Sequence, residues 1–162
     1  HRLIRRQRQM CIRDSFKIDT SDIQINVHAD SWQSALRLAA KPLLDNGSIT
    51  ATYVENMIQA VIKYGPYIVI APGLALGHAE PDENVLKTGY AIATLDTPVK
   101  FGSKTNDPVD VVVVLASINS KDHLKLLQKL VNFLGSSTNM QALRQMQSSE
   151  DAARIVQAIL EG

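Results

Sequence analysis

Tyr67–Val85 reads YIVIAPGLALGHAEPDENV. The apolar run that opens it, Tyr67–Ile70, is rich in β-formers, too short for a helix and bounded by proline and glycine on both sides. It reads as a strand. After Pro72-Gly73, His78 stands between Gly77 and Ala79, with acidic residues beyond. This is how a chain presents an imidazole at the end of a buried strand, with little side-chain bulk around it.

Working outward, Ile23–Val27 alternates apolar and polar with period two, a first strand. Asp30 opens a capping box with Gln33, and Trp32, Ala35, Leu36, Ala39 and Leu43 follow at helical spacing until Asn46-Gly47. Thr50 caps a second helix with Val54, Met57, Ile58, Val61 and Ile62 on its buried face, ended by Gly65-Pro66. Downstream, Gly89–Leu95 and Val109–Ala116 are continuous apolar runs, the signature of strands buried on both faces, with a polar loop over Phe101–Pro108 between them. Ser120 caps a helix with Leu124, Leu127, Leu130, Val131 and Leu134 on one side, and Gly135-Ser136-Ser137 breaks it. Met140–Met146 and Ser149–Leu160 read as two further helices. Interleaved helices and strands predict an α/β fold, a three-layer α/β/α sandwich on a mixed central sheet of about four or five strands.

The bulk numbers agree. A chain of 162 residues, 45% hydrophobic but only 5% aromatic, has room for one domain whose core is Val, Ile, Leu and Ala. Its longest apolar runs span about ten residues, half of what a membrane helix needs. One cysteine, Cys11, excludes an internal disulfide framework and a cysteine-based zinc site. The formal charge of +1 conceals an asymmetry. His1–Arg13 carries five arginines and no acid, and setting these aside leaves 12 basic against 16 acidic side chains, a net of −4. Residues 1–15 therefore read as a basic leader, non-native or disordered, and 16–162 as the domain.

A lone histidine beside apolar residues is ordinarily structural. Around His78, however, Gly73 and Gly77 let another molecule approach closely. An imidazole with a pKa near 6.5 is mostly neutral, and hence nucleophilic, at neutral pH. Phosphoryl transfer asks for little more than an in-line nucleophile and donors for the spreading charge. Backbone N–H groups of a glycine-containing loop can supply such donors. No G-x-G-x-x-G, H-E-x-x-H or G-x-S-x-G motif is present, Gly102–Thr105 lacks the glycines of a P-loop, and four widely separated histidines argue against a metal site.

These residues carry a family resemblance. Gly65-Pro66-Tyr67, Val69–Gly73, Ala75, His78 and Pro81 match a pattern similar to GPYxVIAPGxAxPHxRPE. That pattern belongs to the enzyme IIA domains of the bacterial sugar phosphotransferase system (PTS), in the mannitol/fructose/ascorbate superfamily (EIIA type 2). Asn106–Asp110 also resembles the ascorbate-type branch, and the likeness covers nearly the whole chain after the leader. Two positions depart from it. The proline before the histidine is Gly77, which loosens the loop, and the basic residue two positions after it is Glu80, which repels a phosphoryl group if it points at the site.

The resemblance implies a cytoplasmic phosphotransferase with His78 as phosphoacceptor. The phosphoryl group would come from the phosphocarrier HPr, sit on Nε2, and pass to a cysteine of a cognate enzyme IIB and so to the membrane enzyme IIC. No metal or organic cofactor is implied, nor nucleic acid, nor membrane insertion. The family's second histidine, in an HL-containing helix start, helps bind the phosphoryl group, and His123 in Lys121–Leu124 matches it; by position alone it would be a surface residue. A helix N-terminus also favours an anion. Leu74, Leu76, Gly77 and Ala79 are candidates for an apolar partner-binding collar, with core packing the equal alternative for Leu74, Leu76 and Ala79. Lys63, Lys87 and Lys104 read as solvated before they read as electrostatic helpers. His28 has no company and reads as surface, and Asp107 and Asp110 as turn residues. Ascorbate is the branch-level substrate, with galactitol, fructose, mannitol or a pentose-type sugar open. Two other functions remain: a regulatory domain of the same fold acting on transcription or nitrogen metabolism, and nucleic-acid binding through the leader. The acidic remainder argues against the last.

Overall fold

The computed structural model describes residues 20–79 and 81–161. The leader, Cys11 and Glu80 lie outside the described residues. After a 3₁₀ turn at Thr20–Asp22, the chain runs β1 (Ile23–Val27), α1 (Trp32–Asp45), α2 (Ala51–Tyr64), β2 (Val69–Ala71), β3 (Leu74–Gly77), β4 (Gly89–Val99), β5 (Val109–Ala116), α3 (Ser120–Leu134), α4 (Ser137–Arg144) and α5 (Ser149–Glu161). The five strands form one mixed sheet in the order β1-β4-β5-β3-β2. β1 is parallel to β4 and β3 parallel to β5, while β4–β5 and β2–β3 are antiparallel.

Pleat alternation builds the three layers. On β5, Val109, Val112, Val114 and Ala116 join the cluster under α1 and α2, while Val111, Val113 and Leu115 join the cluster under α3, α4 and α5. Both faces of this strand are covered, which is why it reads as an uninterrupted apolar run. Each fully buried aliphatic side chain of this kind contributes roughly 1.5–3 kcal/mol.

Tyr67–Gly77 holds two strands, β2 and β3. Pro72-Gly73 forms the turn of a β2–β3 hairpin, with Gly73 at φ 76°. Arg144 clamps it, pairing with Asp110 at 2.9 Å and donating from its guanidinium to the Pro72 carbonyl at 2.9 Å. A Cβ on Gly73 would lie 2.7 Å from both Asp110 Oδ1 and Arg144 Nη2. Asp107 caps the Phe101 and Gly102 amides at 2.9 and 2.8 Å.

Several expectations are corrected. Leu74 and Leu76 are 1% and 2% exposed and pack in the α3–α5 cluster, because β3 lies inside the sheet beside β5, so they form no partner collar. Gly77 is equally buried, registered with Val114, and is a strand residue rather than a loosened loop; a Cβ there would meet Leu36 Cδ2 at 2.9 Å. Ser31, not Asp30, caps α1, accepting from the Ser34 amide, and Asn119, not Ser120, caps α3. Ile62, Leu124 and Val131 are exposed; α3 buries Leu126, Leu130, Phe133 and Leu134 instead. β4 continues past Leu95 to Val99 through a register shift.

Candidate functional site

β3 and β5 run parallel, so their carboxyl ends reach the same rim of the sheet. His78 follows β3 directly, and α3 begins four residues after β5 ends. Crevices outside the carboxyl ends of strands are where open α/β sheets bind ligands. Leu74 and Leu76 face the α3 side, and His78 is the next residue in that alternation. It thereby meets His123, one turn into α3, with ring centroids 5.5 Å apart. Asn119 fixes this start by accepting from the Asp122 amide at 2.8 Å.

His78 is half-buried, and its Nδ1 lies 3.1 Å from the Leu76 carbonyl oxygen. A carbonyl only accepts, so the contact requires the proton on Nδ1 and leaves a lone pair on Nε2. Nε2 makes no hydrogen bond with the described residues. The edge of the His78 ring meets Tyr67, with centroids 5.9 Å apart and planes at 84°. Tyr67 in turn meets Tyr64 edge-on at 6.4 Å.

Both histidines open onto a groove of about 870 Å³. Its wall from α2 includes Asn56, Gln59, Lys63 and Tyr64, and Ser120 and Leu124 come from α3. Lys63 Nζ sits 5.1 Å from the Tyr64 ring centroid. Lys87 and Lys104 do not line the groove. Ala79, half-buried, is the one residue of the expected collar that does. The apolar rim is instead Tyr64 (68% exposed), Leu124 (65%) and Tyr67 (44%).

Tyr53 was not anticipated. Its hydroxyl donates to the Leu115 carbonyl at 2.8 Å and accepts from the Ala79 amide at 3.1 Å, and burial pushes its pKa up to about 12. The sequence held a signal for it, since Tyr53, Met57 and Val61 form one i, i+4, i+8 stripe. The Ala79 amide is thus already engaged, and residue 81 is a proline without an N–H. The glycine-containing loop offers fewer backbone donors than its composition suggests.

His28 is not isolated: Nε2 meets Asp30 at 2.9 Å and Nδ1 meets Asp96 at 3.1 Å. Among the described residues, no three His, Cys, Asp or Glu side chains are grouped to hold a metal ion, and no helix is long and apolar enough to cross a membrane.

The sequence profile described as phosphoenolpyruvate-dependent sugar phosphotransferase system, EIIA 2, matches residues 17–159. The ascorbate-specific PTS system EIIA component of Shigella boydii serotype 4 (strain Sb227) is 31% identical over 148 residues, covering 91% of this chain and 96% of the relative. The solution structure of the mannitol-specific cryptic phosphotransferase enzyme IIA from Escherichia coli superposes with a TM-score of 0.78 at 28% identity, over 92% of this chain and 97% of that one. Enzyme IIA in the Escherichia coli complex of mannitol enzyme IIA with phosphorylated enzyme IIB shares the fold, with a TM-score of 0.78 at 22% identity over 91% of this chain and 99% of that one.

Proposed function

We propose that this chain, which belongs to the EIIA 2 family of the phosphoenolpyruvate-dependent sugar phosphotransferase system, carries its phosphoryl group on Nε2 of His78. The family makes it a phosphotransferase and a phosphoryl-carrier component of sugar transport. The observation that carries the assignment is the half-buried imidazole with Nδ1 held by the Leu76 carbonyl and a second imidazole 5.5 Å away.

Phosphohistidine on HPr is the donor. The Nε2 lone pair forms the new N–P bond as the donor N–P bond breaks, and the departing imidazole keeps the electron pair. Positive charge develops on the His78 ring, and the Nδ1–H bond to the Leu76 carbonyl stabilises it. His123 donates to the phosphoryl oxygens, and the α3 N-terminus adds its partial positive charge. In the second half, a cysteine thiolate of enzyme IIB attacks phosphorus and His78 recovers its lone pair. The complex of a fold relative, mannitol enzyme IIA from Escherichia coli, with phosphorylated enzyme IIB supports that acceptor. Enzyme IIC follows in the relay, ascorbate is the substrate of the pathway on the strength of the ascorbate-specific relatives, and the reaction takes place in the cytoplasm. Residues 16–162 are read as the one domain that does this, with 1–15 outside it.

Incubation with enzyme I, HPr and phosphoenolpyruvate, followed by intact mass, tests the assignment. One acid-labile phosphoryl group on the wild type and none on His78→Gln is expected. A label that survives His78→Gln, or none on the wild type while HPr is phosphorylated, would overturn it.

A further inference from the structure

Resting on the reading of His78 as phosphoacceptor, we propose that Tyr53 is its positioning residue. The phenol hydroxyl clamps the backbone immediately after His78 to β5 and so keeps the imidazole on the Leu76 carbonyl.

The β3–β5 ladder ends at Gly77, registered with Val114. One residue further along β5, the Leu115 carbonyl accepts from Tyr53 at 2.8 Å, and the same hydroxyl accepts from the amide of Ala79 at 3.1 Å. Tyr53 thus continues the strand connection at the point where the backbone ladder stops and the chain turns out towards the groove. His78 lies between two fixed points, its own ring nitrogen on residue 76 and the following amide on Tyr53. Only a neutral hydroxyl can donate and accept at once, and burial keeps this one protonated, with its pKa near 12. A phenylalanine would fill the same space, at 1% exposure, without burying a polar atom. It would leave the Ala79 amide and the Leu115 carbonyl to find other partners.

The test compares wild type, Tyr53→Phe and Tyr90→Phe. Tyr90 is the matched control, also 1% exposed, but its ring packs in the α3–α5 cluster and does not line the groove. Three readouts are taken: amide exchange of Ala79 in the wild type, the ring ¹⁵N shifts of His78, and the rate of phosphorylation by phosphoramidate, which needs no protein partner. The account expects a protected Ala79 amide and a single Nδ1–H tautomer in the wild type. Tyr53→Phe should mix the tautomers and slow labelling about tenfold, as small misplacements of a reacting group do, while Tyr90→Phe changes neither. Rapid exchange at Ala79, or wild-type tautomer and rate in Tyr53→Phe, would overturn the proposal. So would an equal loss of rate in both variants with unchanged ring shifts, since that is general destabilisation. Absence of label on wild-type His78 would instead count against the phosphoacceptor reading, and the exchange and ring-shift arms would still decide the role of Tyr53.

Discussion

His78 and His28 are both imidazoles at strand ends, and they are held in opposite ways. His78 has one nitrogen on an uncharged carbonyl, the other without a hydrogen bond to the described residues, and a groove in front. His28 has a carboxylate on each nitrogen, Asp96 and Asp30, and both raise its pKa, Asp96 the more. Two carboxylates favour the protonated ring and occupy both positions from which it could attack. A carbonyl fixes the tautomer and leaves one lone pair to react. The choice of partner sets which ring nitrogen keeps a lone pair, and only the uncharged carbonyl at His78 leaves one facing a groove.

The strongest way to break the contrast is at the neighbour of His78. His123→Ala should slow transfer from phospho-HPr by about a hundredfold or more, the cost of removing one donor to developing charge. His28→Gln should leave the single-turnover rate unchanged. A His28 variant that lost transfer would show that the two sites are not separate.

A second prediction concerns the turn that delivers β3 to the site. Gly73→Ala should cost about 1–2 kcal/mol for the left-handed backbone alone, and more because its Cβ would meet the Asp110–Arg144 pair at 2.7 Å. Urea denaturation measures this, and a variant as stable as wild type would show that the clamp gives way freely.

The smallest effect belongs to His28. A raised folded-state pKa stabilises the fold below the unfolded value of about 6.5, and this contribution is lost as pH rises through the folded value. Thermal melts of His28→Gln should therefore fall below wild type at about pH 5.5 and converge with it by about pH 9. A constant offset across that range would contradict the ion-pair account.

Much of the fold was legible because the sheet is covered on both sides. The apolar run alone gives the bounds of β5, Val109–Ala116. Leu74–Gly77 carries no strand signal of its own, since four apolar or small residues in a row show no apolar–polar alternation. On α3 two stripes compete, Leu124–Leu127–Val131 and Leu126–Leu130–Phe133, and Leu134 continues either. Periodicity cannot choose between them, and packing against β5 buries the second. That choice leaves Leu124 on the groove rim, where the expected Leu74 and Leu76 could not be. His78 stood out through its small neighbours and its resemblance to a known family. The Leu76 carbonyl did not, because a backbone group leaves no trace in residue type, and the Tyr53 stripe marks a buried ring without showing that its hydroxyl joins Ala79 to Leu115. Of the two partners of His28, Asp96 lies 68 positions away and arrives only through the β1–β4 pairing, while Asp30 is two positions on and nothing in the sequence turns it towards the ring.

With the Leu76 carbonyl holding the proton on Nδ1, Nε2 of His78 is the atom expected to carry the phosphoryl group. Phosphorylating ¹⁵N-histidine-labelled protein and reading the ³¹P–¹⁵N coupling tests it most directly. The account predicts coupling to Nε2 of His78, with the proton retained on Nδ1. Coupling to Nδ1, or to a nitrogen of His123, would contradict it.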